Sequence, residues 1–360
     1  MKNRSRDIPY CGVREDVILA ANPTLNKDVL ASLYEFVRDR YEIHKKKDVE
    51  KLPAPWTTNP ILLQVKFTNV RREHDRESRN VIENICSKKE YSLKDRFFNI
   101  ILMRFWNKYE SYRLATGGEM LKFPLSDADF EACNKRIEDN PNHTWWSGAY
   151  YTCPVRSWME RIHFKGEVST DDLNFSQSPI YFAKYALTDE LWSKMEAAAS
   201  PKELFELLTS IPWMGKFLVY QWFVDFTYCE DYWFSENEFT ISGPGCTKGI
   251  NLLFSDRDGM THEECLFWMR NNQREMFKEF GYDPESLFDD LPDYDRFINI
   301  MSFENLMCEL QKYMKGVDAV RTGKKPRGKA SYDGSGTTPV KKQKKAPATA
   351  NHVNLFDLGS

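Results

Sequence analysis

Three stretches of this chain combine reactive residue types at short spacing. The first runs Leu208-Thr209-Ser210-Ile211-Pro212-Trp213-Met214-Gly215-Lys216-Phe217-Leu218-Val219-Tyr220-Gln221, with Asp225 four residues on. Its pattern ends one helix, turns at Pro-x-x-Gly and opens another. The start of a helix offers unpaired backbone N–H groups to an anion such as a phosphate, and Gly215 lets another backbone approach closely. An ordinary helix–turn–helix corner has the same spacing. The second stretch holds Asn69, Arg71, Arg72, Glu73 and Asp75. Cations beside carboxylates suit anion binding and proton transfer, or simply form a solvated ion-pair face. The third is Gly243-Pro244-Gly245-Cys246-Thr247-Lys248-Gly249-Ile250-Asn251. It reads as a loop of N–H donors with a lysine, or as no more than a turn.

Helices must position these groups. Val29, Leu33, Phe36, Val37 and Tyr41 recur at three-to-four spacing from Leu25 onward. Pro53, Pro55 and Pro60 break that helix into an extended connection. Helices with charged faces are expected over 61–85, and a buried one around Phe97–Trp106. Loops and short helices are expected over 114–150, helix over 188–208 with Pro201 at a helix start, loop over 229–250, and helices over 261–280 and 298–315. Strand-like alternation is scarce. The fold class expected is therefore mainly α.

Composition supports a packed domain, with 41% hydrophobic and 14% aromatic residues. The aromatic share fits a rich core and also fits stacking on unpaired bases. Net charge is −3, unevenly placed. From Gly316 on there are nine Lys/Arg against three Asp/Glu, a surplus of six, which leaves −9 on the rest. That acidity argues against simple phosphate-driven DNA binding, although cations concentrate over 66–113. None of the eight cysteines has zinc-ligand spacing, so neither a metal nor a cofactor is predicted. Without a signal peptide or long apolar run, the expected setting is cytoplasmic, in an infected host cell if the source is viral, with reduced thiols and no membrane. No G-x-x-x-x-G-K-[ST] occurs, so the chain carries no P-loop.

Five blocks in order carry a more specific resemblance. They are Pro55–Leu62, Lys66–Arg76, Ile211–Asp225, Gly243–Asn251, and Glu304–Glu309 with Lys312-Tyr313. Together they resemble the α-glutamyl/putrescinyl thymine pyrophosphorylase family, whose helical module is also described as the helical domain of 5-hydroxymethyluracil DNA kinases. The Leu208–Gln221 stretch is itself similar to the helix-hairpin-helix of DNA glycosylases, with Trp213 where the first hairpin glycine stands. The resemblance implies a DNA-glycosylase-like helical domain acting on thymine-derived bases of phage DNA. It implies a transferase that displaces pyrophosphate from 5-(pyrophosphoryloxymethyl)uracil with an amine, such as an amino acid or putrescine. Two alternatives stand beside it: a non-catalytic DNA-binding module partnering a 5-hydroxymethyluracil DNA kinase, and a DNA glycosylase.

Residue roles follow from that implied reaction. The base has to leave the stack, and Trp56, Phe67, Trp213 and Trp222 are aromatic candidates to hold it, with Tyr220, Asn69 and Asn251 in the same blocks. Gln221 offers the uracil edge one donor and one acceptor. Arg71, Arg72 and Lys248, with Gly243 and Gly245, suit the leaving pyrophosphate. The amine must attack uncharged, so Asp225, Glu73 or Asp75 is expected as the base; each equally suits a structural ion pair.

The expected organisation is a lead-in over 1–24, the helical domain over 25–315, a disordered basic linker over 316–350 and a terminal peptide over 351–360. The linker composition lacks the apolar residues to fold alone. His352-Val353-Asn354-Leu355-Phe356 is similar to sliding-clamp-binding peptides, so Leu355 and Phe356 are candidate docking residues. The expected partners are DNA carrying modified thymine, an amine co-substrate, a 5-hydroxymethyluracil DNA kinase and a sliding clamp.

Overall fold

The computed structural model describes residues 10–148 and 174–328. Among these, the chain is mainly helical. The helices are α1 (Glu15–Ala20), α2 (Lys27–His44), α3 (Arg76–Val81), α4 (Leu93–Trp106), α5 (Tyr109–Thr116), α6 (Asp127–Glu138), α7 (Ser178–Tyr185), α8 (Asp189–Ala197), α9 (Pro201–Thr209), α10 (Lys216–Phe226), α11 (Pro244–Leu253), α12 (His262–Met276), α13 (Pro284–Leu287) and α14 (Ile300–Arg321). Two short strands, β1 (Thr24–Leu25) and β2 (Phe254–Asp256), pair antiparallel.

Two helices form the interior. Every residue of α4 from Arg96 to Trp106 is buried, as is every residue of α10 from Leu218 to Phe226. A helix apolar on all sides belongs inside a bundle. The start of α4 is fixed by a capping box, in which Ser92 and Asp95 satisfy each other's backbone N–H groups. α10 packs on α4 and α9, and Phe97 stacks on Phe226 with ring centroids 3.8 Å apart.

The other organising contact joins α11 to α14. A Cβ at Gly249 would lie 2.1 Å from the Met307 carbonyl oxygen, and one at Gly245 would lie 3.0 Å from Cys308 Sγ. The glycines, one turn apart, let the two backbones meet. Residues 244–253 are therefore helix and not the expected loop. Pro244 takes the first helical position, where its missing N–H costs nothing.

Two further expectations change. The helix expected from Ile61 is a single turn, closed by Asn59 Oδ1 accepting from the amides of Ile61 and Leu62. Beyond it the chain stays unwound to Arg71, where distant side chains bond its polar groups. Arg40 Nε donates to Thr68 O at 3.1 Å, and Asn305 Nδ2 reaches Thr68 Oγ1 at 2.9 Å. The final helix runs past 315 to Arg321, where Gly316 rests on Ile61.

Candidate functional site

The Pro-x-x-Gly turn and α10 arrange the residues of the first stretch along one line. Trp213 adopts φ +69°, the left-handed conformation that glycine takes at no steric cost. Its half-buried ring packs against the core. Gly215 caps α10 without a side-chain bond, and Gly215, Lys216 and Phe217 are exposed. Residues four apart share a helix face, so Phe217, Gln221 and Asp225 follow one another from solvent to interior.

Gln221 meets two groups from far along the chain. Arg72 Nη2 donates to Gln221 Oε1 at 2.5 Å, and Arg72 Nη1 donates to Glu304 Oε2 at 3.3 Å. The Arg72 guanidinium also lies 6.0 Å from the Tyr220 ring centroid, whose hydroxyl contacts Thr240 Oγ1 at 2.8 Å. Ser302 Oγ accepts from the Arg72 amide at 3.4 Å, and the Cys308 thiol donates to Glu304 Oε1 at 3.6 Å. Gly243, at the start of α11, borders the same carboxylate. Burial raises the Glu304 carboxyl above its ordinary value, opposed by the Arg72 charge. Burial likewise raises the phenols of Tyr220 and half-buried Tyr228.

The cluster thus holds one cation, one carboxamide and one carboxylate that favours its protonated form more than a surface acid does. Gln221 Oε1 is taken by Arg72, while Nε2 makes only a 3.4 Å contact to the Phe217 carbonyl. The Gln221 amide keeps donor capacity for an incoming carbonyl, and the Arg72 guanidinium, bonded to Gln221 and Glu304, is the cation beside it.

Several expected site residues sit elsewhere. Asp225 is buried, and both its oxygens accept from Arg104, Oδ1 at 2.8 Å. Arg104 also donates to Ser78 Oγ and Asn107 Oδ1. Arg71 is sealed between Glu73 and Asp295 and donates to the carbonyls of Asp295 and Phe297. Burial alone would lower its pKa, but Glu73 and Asp295 outweigh that and raise it. Asp75 closes a turn by accepting from the amide and side chain of Asn69. Its carboxyl is raised by burial. The geometry gives these five residues structural partners. Trp222 and Phe67 are core residues, not stacking surfaces.

Trp56 lies in a separate groove of about 480 Å³, lined also by Glu35, Asp39 and Glu42. Its indole N–H donates to Leu52 O, and Lys47 sits 5.3 Å from the ring centroid. Lys248 is exposed on α11, and no ion pair among the described residues engages it. Asn251 contacts His262 at the surface. Gly243 and Gly245 cap and open a helix, so the expected donor loop is a helix start. Leu355 and Phe356, the candidate docking pair, lie outside the described residues. Glu304 belonged to a recognised sequence block but carried no expected role; its signal, a carboxylate in an apolar helix pattern, is also that of an ordinary buried ion pair.

Among the described residues no group of three His, Cys, Asp or Glu side chains converges to hold a metal ion. The described cysteines are unpaired thiols. No described helix is long and apolar enough to cross a membrane.

Comparison with known proteins decides the family. The model described as "5-hmdU DNA kinase, helical domain" matches residues 27–321. This chain belongs to the 5-hmdU DNA kinase helical-domain family. A "5-hmdU DNA kinase" of Bacillus phage SP10 is 22% identical over 347 residues, covering 90% of this chain and 52% of that protein. The chain therefore spans about half the length of the curated relative it matches. No solved structure matches. All of the Arg72, Gln221 and Glu304 cluster falls within the family match, as do α2 through α14.

Proposed function

We propose that this helical domain acts on hydroxymethyluracil-derived bases in phage DNA, and that the Arg72–Gln221–Glu304 cluster receives the base and its leaving group. The carrying observation is that cluster itself, assembled from residues 72, 221 and 304 inside a domain of the 5-hmdU DNA kinase family. The hairpin-like start of α10 supports a glycosylase-like approach to DNA, in which the base leaves the helix before it reacts.

The reaction proposed is displacement of pyrophosphate by an amine. Arg72 holds the phosphate oxygens, and its charge rises in value as the C–O bond breaks. The Gln221 amide donates to a uracil carbonyl. Glu304 accepts a proton from the ammonium form of the co-substrate. The freed nitrogen pair forms a bond to the methylene carbon, and the C–O electrons leave on pyrophosphate. A carboxyl raised by burial suits that proton transfer. Asp225, Glu73 and Asp75 make their bonds outside the Arg72–Gln221–Glu304 cluster.

A second reading is a DNA-binding module that works beside a 5-hmdU kinase. The absence of a P-loop motif from these 360 residues and the family description favour it. Sliding-clamp binding through Leu355 and Phe356 remains a proposal of its own, tested by deleting 352–360 and measuring clamp affinity.

One experiment separates the readings. The protein is incubated with DNA carrying pyrophosphorylated hydroxymethyluracil and a panel of amines, and the nucleosides are analysed by mass spectrometry. An amine adduct with pyrophosphate release is expected. Arg72→Met and Glu304→Gln should each lower the rate about 100-fold or more, the scale of losing charge stabilisation or a general base. DNA binding without any adduct would leave the module reading. Abasic sites would point to a glycosylase.

A further inference from the structure

α14 ends in a turn that sends the chain back along the domain. Gly323 takes φ +68°. Its amide donates to Val320 O at 3.0 Å, and the Lys324 amide donates to Ala319 O at 2.7 Å. That pair of bonds closes a helix on a left-handed glycine. The next residues, Lys324-Lys325-Pro326-Arg327-Gly328, stay against the domain. Pro326 is buried, and a Cβ at Gly328 would lie 2.3 Å from Val65 Cγ1. Composition predicts a linker from 316 onward, yet the chain is packed as far as Gly328.

That packing leaves the charges outside. Lys324, Lys325 and Arg327 are exposed around Pro326, and Lys66 is exposed beside buried Val65. Both partners of the Val65–Gly328 contact thus have an exposed cation as chain neighbour. No ion pair among the described residues engages these four cations, whereas Arg321, just before the turn, is paired with Asp318. Lys66 also has neighbours of its own sign. Partial burial, then the Lys47, Arg76 and Arg40 charges, lower its pKa, with Asp75 opposing. Like charges held close repel, and a polyanion relieves that repulsion as it releases its own counterions.

The surface adjoins the candidate site through one short stretch. Lys66 and Arg72 are six residues apart, at most about 20 Å of extended chain and roughly six steps along a DNA strand. Between them, Thr68 Oγ1 accepts from Asn305, the neighbour of Glu304, at 2.9 Å. Cations spread over two segments, with no enclosed pocket, suit a chain of phosphates better than a single anion. Beyond Gly328 the sequence adds Lys329, Lys341, Lys342, Lys344 and Lys345 against Asp333 and Asp357.

We propose that Lys66 and the docked segment 324–328 form a phosphate-binding surface that holds the DNA backbone beside the Arg72–Gln221–Glu304 cluster. The proposal rests on the reading that this domain acts on DNA, and adds the face by which DNA is held.

The test uses the full chain and a short duplex carrying hydroxymethyluracil. Fluorescence anisotropy measures affinity across a salt series. Lys324→Gln, Lys325→Gln and Arg327→Gln combined should lower affinity about tenfold or more, and the slope of log affinity against log salt by about two to three. Lys66→Gln should lower that slope by about one. Lys135→Gln and Lys194→Gln, exposed and ion-paired on α6 and α8, should change neither. Pro326→Ser keeps every charge, loosens the docking and should weaken binding. Matching thermal unfolding excludes a folding defect. Wild-type slopes in the combined variant and in Lys66→Gln overturn the surface and leave the base-modifying reading standing. Wild-type affinity in Pro326→Ser reduces the segment to tail charge and overturns its docked role. Salt-sensitive binding to phosphatidylserine vesicles in place of DNA overturns the choice of partner. Weakened DNA binding in the variants, with no amine adduct from the wild type, upholds the surface and removes the transferase reading. A wild-type chain that binds no DNA overturns both proposals.

Discussion

Arg104 and Asp225 face each other inside the molecule as a two-pronged pair, Nη2 to Oδ1 at 2.8 Å and Nε to Oδ2, with side chains only 7% and 1% exposed. A carboxylate held on both oxygens by a guanidinium and closed off from solvent is engaged as a structural group. It is also costly to disturb, because removing one partner strands the other charge in the interior.

Asp225→Ala should accordingly destabilise the fold by about 3–5 kcal/mol. Replacing both partners, Arg104→Met with Asp225→Leu, should recover much of that loss. Denaturant unfolding measures both. An Asp225→Asn protein as stable as wild type but inactive would return this residue to the chemistry.

The glycine contacts between α11 and α14 set a second expectation. Gly249→Ala drives a methyl group into the Met307 carbonyl, with 2.1 Å between them. Backbone has to move, and the loss should reach at least about 2 kcal/mol. Gly215→Ala meets open space at a φ of −72° and should cost less than about 1 kcal/mol. Thermal unfolding distinguishes the two. A fall in DNA affinity confined to Gly215→Ala would mark a close backbone approach there.

Arg14 and Glu264 link the N-terminal segment to α12. The Arg14 guanidinium, with the amides of Thr261 and Arg14, holds the Glu264 carboxyl down to about 2 from 4.5, against the opposing effect of burial. A depressed carboxyl stabilises the fold above its unfolded value and loses that contribution as protons bind. Stability from this group is thus full above pH 4.5 and disappears as pH falls toward 2. Glu264→Gln should be less stable than wild type at pH 7, and the gap should close over that interval in urea titrations.

His74 acts in acid by a different route. It stacks on His44 at 3.9 Å, and its Nδ1 is buried without a hydrogen-bond partner. Burial, then the His44, Arg71, Arg79 and Arg40 charges, lower its pKa to about 2 from 6.5. Between those values the unfolded chain takes a proton that the folded chain refuses, so stability falls as pH drops below 6.5. His74→Phe should flatten that fall, as read from unfolding midpoints between pH 7 and pH 4. An unchanged slope would show that the pair relaxes to accept a proton.

Much of the architecture was legible in the residues. The periodicity of α2, α4 and α14, the proline opening α9 and the Pro-x-x-Gly corner before α10 are local features with local causes. The misread segments are those whose form is imposed from a distance. Residues 66–71 stay unwound because Arg40 and Asn305 hold their polar groups. Residues 244–253, punctuated by two glycines and a proline, form a helix because both glycines let α14 pack against its surface.

The same division runs through the candidate site. Sequence by itself determined a mainly helical chain, its ordered motif blocks and the residue types available for chemistry, since all of these depend on short-range spacing. Only the tertiary structure decided which charges are spent on each other. Arg104 finds Asp225 across 121 positions, and Arg72 finds Gln221 across 149 and Glu304 across 232. A buried charge is set by the partner that packing brings to it, and spacing along the chain carries no record of that choice.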